Sequence, residues 1–153
     1  MHRETLQIGA AEITLETGRV ARQAHGAVVV RQGDAWLLAT VVAGPDLPGP
    51  GFLPLTVEYR EKAAAAGRIP GNFFRRETRL GEHEVLTSRL IDRTLRPLIA
   101  DGFRAEVQVS VTVFSADEQV DLAGLALLGA AAALHLSDVP FDGPVAGLRL
   151  VRT

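Results

Sequence analysis

The sequence predicts an α+β domain in which strand hairpins come first and a helix, a strand, a second helix and a last strand follow. Apolar and polar residues alternate in short runs up to about residue 60. From about Glu82 the apolar residues recur every three or four positions, and a second alternating run begins at Val107. A chain of 153 residues is long enough for one domain with a substantial core. This order of elements predicts one sheet with helices on one face.

The first third of the chain predicts strands joined by tight turns. Leu6 and Ile8 precede Gly9, while Ile13 and Leu15 follow it at the same alternate spacing, which is typical of a hairpin. Three further apolar or β-branched runs predict strands at 27–30, 36–42 and 52–59. Gln32-Gly33-Asp34 supplies the turn between two of them, and 43–51 predicts a loop rich in glycine and proline.

The remaining elements follow from a change of period. The first helix begins near Glu82 and is closed by Pro97. Its predicted apolar stripe consists of Leu86, Leu90, Ile91, Leu95 and Leu98. A half-buried strand follows at 107–113, then an alanine-rich helix at 121–136 whose Gly124 and Gly129 indicate close packing on the sheet. The segment 145–151 predicts a final strand.

Composition excludes several classes of protein. The formal net charge is −2, which argues against nonspecific duplex binding over the whole surface. Because there is no cysteine, disulfides and thiolate metal sites are excluded. The N-terminus lacks the apolar segment of a signal peptide, and the apolar run 122–136 is too short to span a bilayer. We therefore expect a cytoplasmic protein with no membrane partner.

The most informative segment is the loop 68–79, which carries adjacent aromatic rings beside arginines. The residues predicted to contact RNA there are Phe73, Phe74, Arg75, Arg76 and Arg79. Guanidinium groups fork onto phosphate and rings stack on bases, as a single-stranded RNA channel requires. The alternative is that one or both rings plug a core edge or an oligomer interface.

Three arginines of the first helix form a second candidate group. Arg89, Arg93 and Arg96 fall at i, i+4 and i+7, so the spacing places them on one helix face. Clustered guanidiniums can bind phosphate or an RNA backbone through bidentate hydrogen bonds. The alternative is a solvated face in which Asp92 pairs with Arg96 or Arg89.

Acidic and histidine residues predict no metal site. Asp117, Glu118 and Asp121 could hold a magnesium ion, but acidic residues ahead of a helix are more typical of N-terminal caps. The four histidines have no metal-ligand spacing, and His135 is interpreted as a packing or capping residue. Neither a nucleophile elbow nor a phosphate-binding glycine loop is present. No catalytic residue is therefore assigned in this chain.

Specific runs of sequence carry a family resemblance over nearly the whole chain. They are LETG at 15–18, ARQ at 21–23, FLPLTV at 52–57, AGRIPGNFFRRE at 66–77, SRLIDR at 88–93, RPL at 96–98 and LSDVPFDGP at 136–144. In this set the chain closely resembles the first ribonuclease-PH-like core domain of bacterial polynucleotide phosphorylases. The resemblance implies a ribonuclease-PH-like fold, with ribosomal-protein-like βαβα layers.

The resemblance also implies an activity. Members of this family are ring-shaped homotrimers that degrade single-stranded RNA from its 3′ end by phosphorolysis. They release nucleoside diphosphates, run the reverse polymerisation with Mg²⁺ and use inorganic phosphate as co-substrate. The resemblance places Phe73 to Arg76 at the RNA entrance, with Arg79 beside them, and the helix arginines toward the active-site cleft. RNA-degradation machinery is an implied partner.

The same resemblance implies that the reaction's acidic residues and phosphate loop belong mostly to a second, homologous core domain. We expect that domain, the KH and oligonucleotide-barrel domains, the metal ligands and the last strands and helix of the first domain to lie outside 1–153. The chain alone is then expected to show little phosphorolysis. Two alternatives remain open: a noncatalytic RNA-binding subunit of an exosome-like ring, and a ribonuclease-PH-type enzyme that trims tRNA ends. The second requires an acidic pair that we do not find.

Overall fold

The computed structural model describes residues 1–46, 52–71, 79–150 and 152. Its strands are β1 (His2–Ile8), β2 (Ala11–Thr17), β3 (Gly26–Gln32), β4 (Ala35–Asp46), β5 (Leu55–Glu61) and β6 (Ala105–Ser115). They form a six-stranded sheet in the order β1-β2-β3-β4-β6-β5. Every neighbouring pair is antiparallel except β5 and β6, which are parallel.

The two predicted hairpin turns are confirmed. Gly9 joins β1 to β2 with φ +59°, and Gly33 joins β3 to β4 with φ +57°. Both values lie in the left-handed region that glycine adopts without steric cost. The strand β4 runs further than expected, because residues 43–46 continue its pairing with β6 past an irregularity between Ala43 and Asp46.

Two helices cover one face of the sheet. The helix α1 (Glu82–Leu95) packs on β5, and α2 (Leu122–His135) packs on β3 and β4. A short 3-10 turn at Arg96–Leu98 follows α1, as the predicted stop at Pro97 requires. Gly129 lets α2 approach the sheet closely, because a Cβ there would lie 2.9 Å from Val30 Cγ2 and 3.4 Å from Ala39 Cβ. Gly124 faces the backbone oxygen of Gly147 instead of the sheet.

The core lies between the helices and this face of the sheet. Val107, Val109, Val111 and Val113 of β6 are all buried there, while the alternate side chains of β6 point to the other face. Leu37 of β4 is fully buried on the same side. The α+β prediction, with both helices on one face, is confirmed.

Two expectations about packing are wrong. Residues 145–150 form no strand; they cross α2, where a Cβ on Gly147 would lie 2.8 Å from Leu127 Cδ2. Leu86 and Leu90 of the predicted apolar stripe are 56% and 48% exposed. Thr87 and Ser88 occupy the buried face with Ile91 and Leu95, because Ser88 satisfies the buried Tyr59 backbone N–H at 2.9 Å.

Candidate nucleic-acid interface

The candidate loop begins where a short 3-10 turn ends. The turn Ala63–Ala66 is terminated by Gly67 at φ +67°, whose N–H donates to Ala64 O at 3.0 Å. This conformation favours glycine and turns the chain away from the domain. Ile69 is 92% exposed, and Pro70 and Gly71 are exposed too. The loop 68–71 therefore projects from the end of the sheet at which β5 and β6 finish.

The aromatic and arginine residues at the centre of this loop fall outside the described residues. They are Phe73, Phe74, Arg75 and Arg76. The flanking Arg68 and Arg79 are described, and both are exposed. Their position shows where the loop leaves and rejoins the domain, and the prediction that the loop contacts RNA stays a prediction.

A network of hydrogen bonds fixes the point at which the loop rejoins the domain. Gly81 is the N-cap of α1, and its N–H donates to Glu84 Oε2 at 2.6 Å. The other carboxylate oxygen of Glu84 accepts from the backbone N–H of Glu61 at 2.8 Å. One side chain thus ties the start of α1 to the end of β5. Arg79 lies two residues before this anchor.

The three helix arginines do not share one environment. Arg89 and Arg93 are exposed on the outside of α1, and neither side chain makes a hydrogen bond or ion pair within the described part of the chain. Arg96 is committed to the fold. Its Nε and Nη2 donate to the two carboxylate oxygens of Asp92 at 3.0 and 2.6 Å. The bonds with Asp92 raise the pKa of Arg96.

Arg96 also connects α1 to the strand layer. Its Nη1 donates to Leu53 O at 2.9 Å and its Nη2 to Leu55 O at 3.1 Å. The alternative considered from spacing, in which Asp92 pairs with Arg96, therefore describes this residue. Among the three, Arg89 and Arg93 are the guanidiniums left available for a ligand.

The loop and the last-turn arginine lie at opposite ends of one helix. The helix α1 has 14 residues, so its axis is about 21 Å long. Arg79 precedes its first turn and Arg93 lies in its last turn. Two groups so far apart cannot hold the same phosphate. An extended strand with several phosphates could contact both.

The acidic residues ahead of α2 make contacts within the fold. Asp117 accepts hydrogen bonds from the backbone N–H groups of Asp34 at 3.2 Å and Gln119 at 2.9 Å. Asp121 pairs with Arg149 Nη2 at 3.1 Å. Asp121 stands at the N-cap position but makes no side-chain cap hydrogen bond, so the cap interpretation holds for its position only. The described residues contain no group of three or more His, Asp or Glu side chains that could hold a metal ion.

His135 is exposed in the last turn of α2, so it is not a packing residue, and its position agrees with the capping alternative. A different histidine joins a polar cluster at the end of β5. The hydroxyl of Tyr59 donates to Glu61 Oε1, and His83 Nε2 lies 3.3 Å from the same oxygen. Burial raises the pKa of Tyr59, and the hydrogen bond to Glu61 raises it further. The phenol therefore stays protonated in the folded protein.

Sequence reasoning missed two cations beside the loop. Arg60 and Lys62 line a cavity of about 390 Å³ together with Arg79. The other lining residues are Glu58, Glu61, Glu84, Ser110 and Thr112. Alternation along β5 could have placed Arg60 on the side away from the core, since Leu55 and Tyr59 point inward. The parallel pairing of β5 with β6, which brings Thr112 beside Arg60, has no local sequence signal.

Residues 10–140 match the family described as 3′ exoribonuclease family, domain 1, known as RNase PH. The chain belongs to this ribonuclease PH family. Polyribonucleotide nucleotidyltransferase of Sorangium cellulosum is 53% identical over 150 residues, and that of Anaeromyxobacter dehalogenans is 55% identical over 150 residues. These alignments cover 98% and 97% of this chain and 20% and 21% of the relatives. The resemblance to polynucleotide phosphorylases is confirmed, and the chain spans about a fifth of their length.

Two solved structures share the fold of this chain. Rice Rrp46 superposes with a TM-score of 0.65 at 20% identity, covering 85% of this chain and 57% of that one. An Archaeoglobus fulgidus exosome chain, from a structure with RNA bound to the active site, gives a TM-score of 0.57 at 21% identity. That match covers 88% of this chain and 52% of the exosome chain. Neither helix of the described part is long and apolar enough to cross a membrane.

Proposed function

We propose that this chain is the first core domain of a polyribonucleotide nucleotidyltransferase. In this role it supplies part of the RNA path and of the ring-forming surface for 3′-to-5′ phosphorolysis of single-stranded RNA. The observation that carries the proposal is the identity of 53–55% with relatives of that name over nearly the whole chain. We propose further that the complete enzyme is a cytoplasmic homotrimer that works with other RNA-degradation proteins.

The chemistry assigns this chain a holding role. In phosphorolysis, an oxygen of inorganic phosphate attacks the phosphorus of the 3′-terminal phosphodiester. The bond from that phosphorus to the preceding ribose 3′ oxygen breaks, and this oxygen takes up the proton that the attacking phosphate loses. The shortened RNA ends in a 3′ hydroxyl, and the terminal nucleotide is released as a nucleoside diphosphate. Guanidiniums such as Arg89 and Arg93 can neutralise strand phosphates and position the scissile end. Mg²⁺ would offset charge at the reacting phosphate, with ligands supplied from outside the described residues of this chain.

The loop and the helix are proposed to act on different parts of the strand. Phe73, Phe74, Arg75 and Arg76, with Arg79, capture RNA at the entrance, while Arg89 and Arg93 hold it nearer the cleft. The projection of 68–71 and the length of α1 support this division. A long RNA would contact both groups, whereas a very short oligomer would reach only the helix.

The test replaces Arg75 and Arg76 with alanine in the complete enzyme. We expect kcat/KM for a long RNA to fall at least about tenfold, since each phosphate contact adds electrostatic affinity, while turnover of very short oligomers changes little. Arg104→Ala is the matched control, because Arg104 is exposed at the opposite end of the sheet. An equal loss for both lengths would place these side chains at the chemistry instead.

A noncatalytic RNA-binding role is the second candidate for the isolated chain. It is favoured by the exposed side chains of Arg89 and Arg93, which have no partner among the described residues and could bind strand phosphates without a reaction. Incubation of the chain with labelled RNA and phosphate should release little or no nucleoside diphosphate. Robust release would contradict the assignment of the catalytic groups to another domain.

A further inference from the structure

The face of the sheet opposite the helices carries a row of groups suited to nucleic acid. We call this row the open-face strip and define it by six residues: Arg31, Trp36, Phe114, Thr112, Arg60 and Lys62. The strip crosses four neighbouring strands, β3, β4, β6 and β5, near the end of the sheet from which loop 68–71 projects. Four strands at about 4.8 Å spacing make it about 14 Å wide.

The strip has an aromatic pair at its centre. The rings of Trp36 and Phe114 lie 5.4 Å apart and are tilted by 45°. Both residues stay accessible, at 38% and 50% exposure. The guanidinium carbon of Arg31 lies 4.8 Å from the Trp36 ring centroid. A cation stacked on one of two exposed, adjoining rings is a surface onto which further planar groups can stack.

Cations flank the rings on the other side. Arg60 pairs in register with Thr112, so Phe114 lies two residues further along β6, beside the end of β5. Arg60 and Lys62 line the cavity of about 390 Å³ that also contains Arg79. Within the described part of the chain, the side chains of Arg60 and Lys62 make no hydrogen bond or ion pair.

Three carboxylates line the same cavity, and they do not compete equally with a bound anion. Glu84 accepts from two backbone N–H groups, and Glu61 accepts from Tyr59 and contacts His83. These two charges are directed at partners within the fold. Glu58, paired in register with Ser110 on the open face, is the carboxylate that competes directly with a bound anion.

We propose that the open-face strip binds single-stranded RNA, with bases on Trp36 and Phe114 and phosphates on Arg60 and Lys62. This rests on the proposed function, because the same strand would approach through the loop that ends at Arg79. Charge complementarity favours a polyanion, because Glu61 and Glu84 are held by partners within the fold, which leaves Glu58, among the described residues, as the one unpaired carboxylate beside Arg60 and Lys62 in this cavity. Exposed rings favour unpaired bases, because bases of a duplex are already stacked on one another.

The chain provides two reporters that belong to the strip alone. Trp36 is its only tryptophan and Lys62 its only lysine. Titration of the 153-residue chain with single-stranded oligo(A) should change Trp36 fluorescence and slow the labelling of Lys62 by an amine-reactive reagent. The N-terminal amine serves as the internal control. A duplex RNA of equal length should produce neither effect.

Substitutions separate stacking from charge. Phe114→Ala should weaken oligo(A) binding by about fivefold or more, the low end for one base stack, and Phe114→Leu should lose most of the same affinity although it stays apolar. The double change Arg60→Ala and Lys62→Ala should lower the salt dependence, log K against log salt, by about 1.4. Glu58→Gln should tighten binding. Arg104→Ala should leave affinity unchanged, and circular dichroism checks that each variant is folded.

The outcomes distinguish this inference from the proposed function. If fluorescence anisotropy shows that oligo(A) binds while Trp36 fluorescence and Lys62 labelling stay unchanged, the proposed binding to the open-face strip is wrong. The loop and the helix α1 then remain as the proposed RNA contacts. Complete absence of binding by the folded chain would overturn the strip as well. If strip variants alter oligomeric mass and leave RNA affinity intact, the face is a contact between copies. Loss of long-RNA capture on replacing Arg75 and Arg76 tests the proposed function independently.

Discussion

The two faces of the sheet are built from the same strands but differ in how deeply their side chains are buried. On β6, Val107, Val109, Val111 and Val113 point toward the helices and are buried, and Phe114 on the other side is half exposed. On β4, Leu37 is fully buried while its neighbour Trp36 is accessible. Because side chains alternate along a strand, one sequence can stabilise the fold on one side and remain free to bind on the other.

The covered face has little tolerance for change. The helix α2 is apolar all round, and Gly129 brings its backbone against Val30 and Ala39. The open face has fewer packing constraints, since no helix of the described chain lies on it. We therefore expect substitutions on the covered face to alter stability and those on the open face to alter binding.

The largest expected difference between the two faces comes from truncating two adjacent leucines of β4. Leu37→Ala should lower the free energy of unfolding by about 3 kcal/mol, since it leaves a cavity in a fully buried site. Leu38→Ala, on the opposite face and only partly buried, should cost less than about 1 kcal/mol. Urea unfolding followed by circular dichroism measures both. Equal losses would show that the open face is packed as tightly as the core.

Two arginines three positions apart provide a smaller contrast in the helix layer. Arg96→Ala removes the donors to Leu53 O and Leu55 O and should cost about 2 kcal/mol of unfolding free energy. The side chain of Arg93 is exposed and has no partner among the described residues. Arg93→Ala should therefore change the free energy of unfolding by at most about 0.5 kcal/mol. Urea unfolding followed by circular dichroism measures the stability of both variants. A large loss for Arg93 would mean that it supports the fold and is not free for RNA.

Much of the fold could be predicted because local patterns determine it. The turns at Gly9 and Gly33 need glycine's positive φ, and the valine alternation of β6 marks its buried side. Residues 145–150 misled the prediction because an apolar run does not show whether it pairs with a strand or packs on a helix. Here the segment packs on α2. Leu86 and Leu90 misled it because a helical stripe does not say which face meets the sheet.

The candidate interface was predicted less completely for a related reason. Arginines and rings within one loop can be read from the chain, but the open-face strip gathers residues from four strands. Trp36 and Phe114 become neighbours only through the pairing of β4 with β6. Such a site depends on strand order, and no spacing within the sequence encodes it directly.

The smallest expected effect is the pH dependence of stability that Tyr59 contributes on the covered face. Burial and the Glu61 hydrogen bond raise the pKa of Tyr59, whereas the unfolded phenol titrates at about 10. The unfolded chain therefore loses this proton first, so stability is fully present below pH ~10 and falls above it, by up to about 1.4 kcal/mol per pH unit. Tyr59→Phe should flatten that slope, since Tyr59 is the only tyrosine and all other groups are shared. Parallel slopes in urea unfolding of the two proteins above pH ~10 would show that the phenol ionises as readily in the fold as in water.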